Sequence, residues 1–335
     1  MLKVGINGFG RIGRLAARII LQKHQDKLAL AAINTSGSVD NHGWAHLFKY
    51  DTAYGQYPGE VKANGDNLVV DGVSIALLAQ RDPAAIPWGK YGVQVVIEST
   101  GAFETQEEIQ KHLRETVKKV VLSAPAKGES NVETIVIGVN EEKRVGKNLI
   151  SSASCTTNCI APVTKVILDK FGIKKALLTT VHAYTSDQEL QDGSHHDLRR
   201  ARAAAANIVP TTTGAAKTAA KTLPALINKF DGLAIRVPVL TGSLSDITYL
   251  VERPTTIEAV NQAFVEAAQG KYRGILEVTN EPIVSSDIIG NPASAIVDLS
   301  LTKVIDGDLV KVIAWYDNEW GYANRLVEEV AAAYL

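Results

Sequence analysis

The sequence predicts an α/β protein with two domains. The first carries a doubly wound parallel sheet, and the second is an α+β domain with a mixed or antiparallel sheet. Three observations predict this arrangement: a strand, a glycine-rich turn and a helix open the chain, short β-branched strands follow, and hydroxyl-rich loops separate longer strands after residue 150. A length of 335 residues suffices for two cores. The predicted domains are residues 1–154, joined by a C-terminal helix at 319–335, and residues 155–318.

The composition is that of an ordinary globular protein, with 46% hydrophobic and 21% charged residues. A formal net charge of −1 gives no basic surface for nucleic acid or an anionic membrane. No apolar run approaches the ~20 residues of a transmembrane helix, and the N-terminus lacks the apolar core of a signal peptide. The two cysteines, Cys155 and Cys159, predict a reducing cytoplasm. They lack further ligands at suitable spacing, so no metal site is expected.

The first element is a strand at Lys3–Asn7, and a glycine motif joins it to a helix at Arg14–Lys23. Gly8 permits the tight turn, Gly10 lets a pyrophosphate approach the backbone, and Gly13 lets helix and strand pack closely. A strand, this motif and a helix in that order predict a Rossmann domain that binds a dinucleotide.

The second strand, Leu28–Asn34, ends where an Asp or Glu would usually hold the adenosine ribose. Here the chain has Asn34, Thr35 and a Ser-Gly-Ser turn. A carboxylate repels a 2′-phosphate, whereas hydroxyls and backbone N–H groups can bind one. The missing acid therefore favours NADP as cofactor. The alternative is a simple turn, with NAD bound through Asn34 alone.

The rest of the first half predicts a sheet buried on both faces. An antiparallel excursion at the sheet edge is expected between Asp51 and Asp82. The small polar segments Ser99-Thr100-Gly101 and Ser123-Ala124 lie at the carboxyl ends of strands, where doubly wound folds bind ligands. The remaining predicted elements are strands at 93–99, 119–123 and 134–138 and a helix at 105–117.

The second half opens with the polar segment Ser151–Cys159, followed by an apolar helical pattern at 160–170. Cys155 would lie at a helix N-terminus, where unpaired N–H groups and the helix dipole favour a thiolate. The same N–H groups could hold an oxyanion. The alternative is a buried, inert thiol that packs among small residues.

His182 lies at the end of a predicted strand, 176–185. It is either a structural hydrogen-bonding residue or the base that takes the proton from the Cys155 thiol. A Cys/His pair also suits a cysteine protease, but the dinucleotide motif in the same chain argues against that class.

Several charged and hydroxyl side chains in the second half suit anions. The loop 186–202 is rich in Asp, His and Arg and is either a solvated face or a functional loop. The segment 208–217 turns hydroxyls and a glycine toward a new helix, which is a plausible phosphate cradle. Arg236 interrupts an apolar strand, which implies an acidic partner or an anionic ligand. The last predicted elements are strands at 244–252, 275–279, 295–301 and 309–316 and helices at 256–269 and 319–335.

These residues together resemble the phosphorylating glyceraldehyde-3-phosphate dehydrogenase family. The motifs that carry the resemblance span the chain: INGFGRIGR at 6–14, KYD at 49–51, APAK at 124–127, SASCTTNC at 152–159, RRARAAA at 199–205, TTTGAAK at 211–217, IRVP at 235–238 and WYDNEWGY at 315–322. The resemblance implies a cytoplasmic homotetramer. It implies reversible oxidation of glyceraldehyde 3-phosphate with inorganic phosphate to 1,3-bisphosphoglycerate, with hydride transfer to a nicotinamide cofactor.

The resemblance also assigns roles to residues at matching positions. Cys155 becomes the nucleophile that forms a hemithioacetal and a thioester, and His182 becomes its base. Two anion sites are implied, one at Thr185, Asp187, Arg200 and Arg236, the other at Ser154, Thr156, Thr213 and Gly214. The expected cofactor contacts are Gly8, Gly10, Arg11, Ile12, Gly13, Asn34, Thr35, Arg81, Ser99, Thr100, Gly101, Ser123, Ser194 and Asn318, with Asn318 orienting the carboxamide.

Two departures from the family pattern bear on the cofactor. NAD-specific members usually have Asp where this chain has Thr35, and often Leu-Pro where it has Gly193-Ser194. Both departures resemble members that use NADP, so an NADP-using or dual-cofactor enzyme is expected. The alternatives are an erythrose-4-phosphate dehydrogenase, which the intact Thr213-Gly214 cradle argues against, and a non-catalytic nucleotide-binding or moonlighting protein.

Overall fold

The computed structural model describes residues 1–128 and 130–332. The chain divides into two compact units: unit 1 comprises residues 1–135, 142–153 and 323–335, and unit 2 comprises 136–141 and 154–322. Ser154 and the segments 136–141 and 319–322, placed in the first domain from the sequence, belong to unit 2. The last three residues of the predicted C-terminal helix lie outside the described residues.

Unit 1 is built on a nine-stranded sheet in the order β3-β4-β5-β2-β1-β6-β7-β9-β8. Its strands are β1 Leu2–Asn7, β2 Leu28–Asn34, β3 Val61–Asn64, β4 Asn67–Val70, β5 Val73–Leu78, β6 Val95–Glu98, β7 Lys119–Leu122, β8 Glu133–Thr134 and β9 Leu149–Ser151. The strands from β5 to β8 pair in parallel, and β3, β4 and β5 form an antiparallel meander at one edge. The doubly wound prediction and the antiparallel excursion are both confirmed.

The helices of unit 1 differ from the predicted ones in length. They are α1 Arg11–Lys23, α2 Asn41–Lys49 and α3 Gln106–Ile109. The helix predicted at 105–117 is wrong beyond its first turn. A capping box between Thr105 and Glu108 starts it, a 3₁₀ turn follows at 110–112, and Glu115 adopts φ +52°, which no α-helix tolerates.

The strand predicted at 134–138 is also wrong, because only Glu133 and Thr134 pair in the sheet. The chain then turns: Gly138 has φ +87°, and the Val136 N–H donates to Oδ1 of Asn140 at 2.8 Å. A β-branched run does not stay extended where a glycine and an asparagine close a turn.

Unit 2 is built on an eight-stranded mixed sheet in the order β11-β12-β10-β13-β17-β15-β14, with β16 paired to β17. Its strands are β10 Lys175–Ala183, β11 Val209–Thr212, β12 Phe230–Val237, β13 Ser243–Leu250, β14 Leu276–Thr279, β15 Ala295–Asp298, β16 Lys303–Ile305 and β17 Leu309–Tyr316. The mixed sheet predicted for this half is confirmed. The strand predicted at 295–301 ends at Asp298, where a 3₁₀ turn over 299–301 replaces it.

The helices that belong to unit 2 or begin in it are α4 Cys155–Phe171, α5 Ala215–Thr222, α6 Ile257–Gln269 and α7 Trp320–Ala332. Helix α4 packs against α5, α6, β15 and β17. This contact fixes the helix that carries the two cysteines against the second sheet. No helix among residues 1–128 and 130–332 is long and apolar enough to cross a membrane.

Candidate active site

Cys155 is the first residue of α4, as the sequence predicts, and the residue before it caps the helix. The Ser154 side chain accepts a hydrogen bond from the Thr157 N–H at 3.1 Å. The cap leaves other N–H groups of the first turn without helical partners, next to the thiol. The thiol is half-buried, whereas Cys159, one helical turn further on, is fully buried.

His182 lies near the end of β10 with its ring aimed at the thiol. Its Nε2 lies 3.4 Å from Sγ of Cys155, and its Nδ1 lies 2.6 Å from the Ala183 carbonyl oxygen. The carbonyl can only accept, so Nδ1 carries the ring proton and Nε2 has a free lone pair. The geometry therefore provides a thiol proton donor and an imidazole acceptor in direct contact.

Burial and charge set the protonation states of this pair. Burial, reinforced by the positive charge of Arg236, lowers the pKa of His182 to about 3. Burial also raises the pKa of the Cys155 thiol, although the Arg236 charge and a hydrogen bond from Thr156 oppose this. The helix position predicts a thiolate, but desolvation outweighs it. Both directions favour a thiol beside a neutral imidazole.

Arg236 lies beside His182, because β10 and β12 pair in parallel with these two residues in register. Its Nη1 donates to the Ala183 carbonyl at 3.3 Å and to Oγ1 of Thr185 at 3.0 Å. Its Nε is buried without a hydrogen-bond partner among the described residues. A guanidinium that bonds only to neutral oxygens and keeps an unsatisfied N–H is suited to an anionic ligand.

Arg200 is held by contacts in the polar loop and β11, among them an ion pair with Asp197 at 3.7 Å. Its Nε donates to Thr211 at 2.9 Å, its Nη2 donates to the Thr212 carbonyl at 3.1 Å, and its Nη1 pairs with the Asp187 carboxylate. Sequence matching places Asp187 among the phosphate ligands. A carboxylate repels a phosphate, and the structure uses this one to orient Arg200.

The residues predicted for the other anion site lie at the starts of two packed helices. Ser154 caps α4, and Gly214 precedes α5, with no atom within 4 Å of the position that a Cβ would occupy. The Thr213 hydroxyl accepts from the Ala215 N–H at 3.2 Å. Thr156 is the exception, since its hydroxyl is buried and bonds to Tyr316.

Tyr316 is a residue whose role sequence reasoning missed. Its hydroxyl lies 2.9 Å from the Thr156 hydroxyl and 2.8 Å from the Thr180 hydroxyl, and its ring meets the His182 ring edge-on at 6.0 Å. It thereby ties α4 to β10 next to the Cys/His pair. The quoted motif WYDNEWGY contains it, but nothing in the local pattern distinguishes it from a core tyrosine.

Asn318 has its amide oxygen fixed and its amide nitrogen available. The oxygen accepts from the Ser243 hydroxyl at 2.8 Å and from the Gly242 N–H at 3.1 Å. The NH₂ group is left to donate, which suits a carbonyl oxygen of a ligand.

In unit 1, the three motif glycines have the steric surroundings that a dinucleotide site requires. A Cβ on Gly8 would lie 2.6 Å from the Thr100 nitrogen, and a Cβ on Gly13 would lie 2.0 Å from the Gly8 oxygen. Gly10, in contrast, faces open space. Two glycines therefore allow close packing, and the third leaves the backbone approachable, as a bound pyrophosphate needs.

The other residues expected to bind the cofactor lie in different surroundings. Arg11 pairs with Asp51 at 2.6 Å, and the Ser99 hydroxyl donates to the Gly8 carbonyl at 2.9 Å. The residues that remain exposed or half-exposed are Ile12, Arg81, Thr100, Gly101, Ser123 and Ser194.

Asn34 and Thr35 are turned inward, which sequence reasoning did not foresee. The Asn34 amide bonds to Oδ1 of Asn7 at 2.7 Å and to both backbone groups of Gln80 at 2.8 and 2.9 Å. The Thr35 hydroxyl donates to the Leu78 carbonyl at 3.0 Å. The Asn34 amide is therefore already hydrogen-bonded within the protein. The exposed groups of this turn are residues 36–38, where the Ser36 and Ser38 hydroxyls lie 2.8 Å apart.

Two family models match this chain. Residues 2–106 match the glyceraldehyde 3-phosphate dehydrogenase NAD binding domain, and residues 154–318 match the C-terminal domain of the same enzyme. Among curated proteins, glyceraldehyde-3-phosphate dehydrogenase 2 of Streptomyces avermitilis is 52% identical over 329 residues, which cover 98% of this chain and 97% of the relative. Glyceraldehyde-3-phosphate dehydrogenase 1 of Bacillus cereus is 49% identical over 337 residues, covering 100% of this chain and 98% of the relative.

Proposed function

Because the chain belongs to the glyceraldehyde-3-phosphate dehydrogenase family, we propose that Cys155 and His182 carry the chemistry of this enzyme. The enzyme oxidises glyceraldehyde 3-phosphate with a nicotinamide dinucleotide. The observation that supports the two roles is the 3.4 Å contact between Sγ and a Nε2 whose lone pair is free. The relatives carry the glyceraldehyde-3-phosphate dehydrogenase name, which supports this activity and not the erythrose-4-phosphate alternative.

The first step joins enzyme and substrate. Sγ adds to the aldehyde carbon while His182 takes the thiol proton, which then passes to the substrate oxygen to give a hemithioacetal. The N–H groups at the start of α4 stabilise the oxygen while it carries negative charge. Because the pKa of the thiol is raised and that of the imidazole is lowered, the proton has to move to His182 during the attack and not before it.

The second step oxidises the captured carbon. When bound, the nicotinamide ring supplies the acceptor for the hydride that leaves this carbon. His182 takes the hydroxyl proton at the same stage, and the carbon becomes the carbonyl of a thioester on Cys155. Asn318, whose amide oxygen accepts from Ser243 and Gly242, would offer its NH₂ group to the carboxamide of a bound cofactor.

Inorganic phosphate then releases the product. A phosphate oxygen attacks the thioester carbonyl, the C–S bond breaks, and the thiolate recovers a proton from His182. One anion site is assigned to Arg236, Thr185 and Arg200, and the other to Ser154, Thr213 and Gly214 at the helix starts. Asp187 supports the first site through Arg200, and Thr156 supports the second through Tyr316.

The cofactor assigned to the enzyme is NADP, used at least as efficiently as NAD. The support is the absence of a carboxylate at residues 34–38 together with the exposed hydroxyls of Ser36 and Ser38. Ser194 of the polar loop matches NADP-using members as well. Because Thr35 donates inward, Ser36 and Ser38 replace it as the proposed ligands of the 2′-phosphate. The homotetramer and the cytoplasmic location implied by the resemblance stay predictions.

Initial rates with NAD and with NADP, each with and without inorganic phosphate, test the proposal. With phosphate, turnover should be steady, and kcat/KM for NADP should equal or exceed that for NAD. Without phosphate, reduced cofactor should form in a burst of about one per active site and then stop, since the thioester has no acceptor. Steady turnover without phosphate would contradict the phosphorylating mechanism, and an NAD preference above tenfold would contradict the cofactor assignment alone.

A further inference from the structure

Three polar residues form a row across the carboxyl edge of the unit 1 sheet. Asn34, Asn7 and Glu98 are the last residues of β2, β1 and β6, which are neighbours in the sheet. Asn7 is the register partner of both others. All three side chains are buried, and they are hydrogen-bonded in sequence, from Asn34 to Asn7 at 2.7 Å and from Asn7 to Glu98 at 2.5 Å.

Glu98 is the charged member of this row and is completely buried. One of its oxygens accepts from Asn7 and from Nε2 of His112 at 3.1 Å. The other accepts from the Thr100 N–H at 2.9 Å and the Thr100 hydroxyl at 2.5 Å. Among the described residues, four donors hydrogen-bond to the carboxyl group, an arrangement that suits a carboxylate.

Beyond Glu98, the network ends at the aromatic side chains of His112 and Trp88. Trp88 Nε1 donates to Nδ1 of His112 at 3.1 Å, which leaves Nε2 of that ring as the proton carrier facing Glu98. Both rings are fully buried. The tautomer of His112 is thus fixed in the form that donates to the carboxylate.

The near end of the network reaches two turns that the dinucleotide needs. Through Asn7 and Asn34 it holds the Gln80 backbone and the start of the 34–38 turn. Through Thr100 it holds the segment after β6, and the Thr100 nitrogen lies within 2.6 Å of where a Gly8 Cβ would stand. In doubly wound sheets, dinucleotides bind outside these strand ends.

We propose that Glu98 is a positioning residue for the cofactor: through the Asn7–Asn34 row and Thr100 it holds both turns in their binding geometry before the dinucleotide arrives. The proposal rests on dinucleotide binding by unit 1 and not on a preference for NADP. Binding loses less conformational entropy when the loops of the protein that contact the cofactor are already ordered. Loss of the row should therefore weaken cofactor binding without altering the chemical step.

Glu98→Gln tests this, since it keeps the shape but turns one acceptor into an NH₂ group that faces donors. Calorimetric Kd values for NAD and NADP should both rise about tenfold, by the same factor. The kcat at saturating cofactor should stay within about twofold of wild type, as expected for uniform binding. In the cofactor-free variant, the Thr100 and Gln80 amides should exchange their hydrogens faster. Unchanged Kd values in the folded variant, or a rise confined to NADP, would overturn the proposal.

Thr116→Val is the matched control, because it removes a hydrogen bond of unit 1, from the Thr116 hydroxyl to the Val93 carbonyl at 2.6 Å, that lies outside this network. It should lower Tm and leave both Kd values unchanged. An equal rise in Kd in this variant would show general loosening and overturn the positioning role. A second measurement needs no variant: in the cofactor-free wild type, the Thr100 and Gln80 amides should be protected from exchange, and unprotected amides would also overturn the proposal.

Discussion

His182 and Arg236 occupy paired positions on the parallel strands β10 and β12, so the proposed base and a permanent positive charge stand side by side. This charge adds to burial in lowering the pKa of His182 to about 3, and it opposes the rise in the pKa of Cys155. The first effect keeps the imidazole unprotonated at neutral pH, and the second makes the thiol easier to ionise. Arg236, which we propose as a phosphate ligand, therefore also influences the protonation of the Cys155–His182 pair.

Arg236→Ala should change the pH profile of the reaction. Removing the positive charge raises the pKa of His182 toward its usual value, so the base becomes protonated at a higher pH. With unphosphorylated glyceraldehyde as substrate, wild-type kcat/KM should show no loss from His182 protonation down to about pH 5, because the pKa of His182 is about 3. Because burial still lowers the pKa of His182 in the variant, its rate should begin to fall at a pH above that of wild type but below the usual histidine value. Superimposable profiles would argue against electrostatic coupling of the two residues.

The same variant should also change substrate selectivity. A charge-assisted hydrogen bond to phosphate contributes about 1.5–3 kcal/mol, which corresponds to roughly ten- to hundredfold. The loss in kcat/KM should therefore be larger by this factor for glyceraldehyde 3-phosphate than for glyceraldehyde. Equal losses on both substrates would assign Arg236 a structural role only.

Cys155→Ser should abolish dehydrogenation while leaving dinucleotide binding in place, since a hydroxyl is a far weaker nucleophile than a sulfur that passes its proton to His182. The measurement is turnover beside a calorimetric Kd for the cofactor. Cys159→Ser is the control, because that thiol is fully buried and contacts Ser245 instead of His182. Turnover near the wild-type rate in Cys155→Ser would end the covalent mechanism.

His182→Asn should slow the reaction by roughly 10²–10⁴, the usual contribution of a general base. The burst of reduced cofactor in the absence of phosphate should slow by the same factor, because His182 acts before the thioester forms. A variant that slowed steady turnover but kept the wild-type burst rate would place His182 in product release instead.

His182 should also make the folded protein sensitive to acid. Its pKa is about 3 in the folded chain and about 6.5 when unfolded, so between these values only the unfolded state binds the proton. Stability should fall as the pH decreases from about 6.5 toward 3. The test compares the free energy of unfolding in urea of His182→Asn with that of wild type at two pH values. The difference between them should shift in favour of the variant on going from pH 7 to pH 4.5. His42→Asn, at an exposed histidine, is the control and should show a smaller difference.

Ser36→Ala and Ser38→Ala should each lower kcat/KM for NADP several-fold and leave that for NAD nearly unchanged, since a neutral hydrogen bond contributes about 1 kcal/mol. Thr35→Asp should shift the enzyme toward NAD by restoring a carboxylate that repels the 2′-phosphate. Thr35→Val is the control, because it removes the inward hydroxyl without adding a charge. If the serine variants lowered kcat/KM for NADP and for NAD equally, the turn would not discriminate between the two cofactors at the 2′ position.

Local patterns in the sequence predicted most of the fold. The glycine motif, the buried strands of both sheets and the helix that begins at Cys155 all depend on residues close together in the chain. Two of the wrong predictions, the helix at 105–117 and the strand at 134–138, contain Glu115 and Gly138, whose positive φ angles are incompatible with a continuous element.

The polar contacts of the site were less accessible to sequence reasoning. Asn7 and Glu98 are separated by 91 positions, and Thr156 and Tyr316 by 160. No periodicity connects residues so far apart. The sequence also could not show that the side chains of Asn34 and Thr35 form hydrogen bonds inside the protein. Their partners, Leu78 and Gln80, lie on another strand and in the loop after it.

The path of the last helix has a consequence for synthesis on the ribosome. Helix α7 starts in unit 2 and ends in unit 1, where Leu326, Val327 and Val330 are fully buried and Asn324 bonds to Lys23 of α1. The nucleotide-binding unit is thus translated first but receives part of its core last. The apolar surface that α7 covers on the strands and helices of unit 1 therefore stays exposed until all of unit 2 has been synthesised. The window for misfolding or chaperone capture is therefore set by the translation time of more than 160 intervening residues.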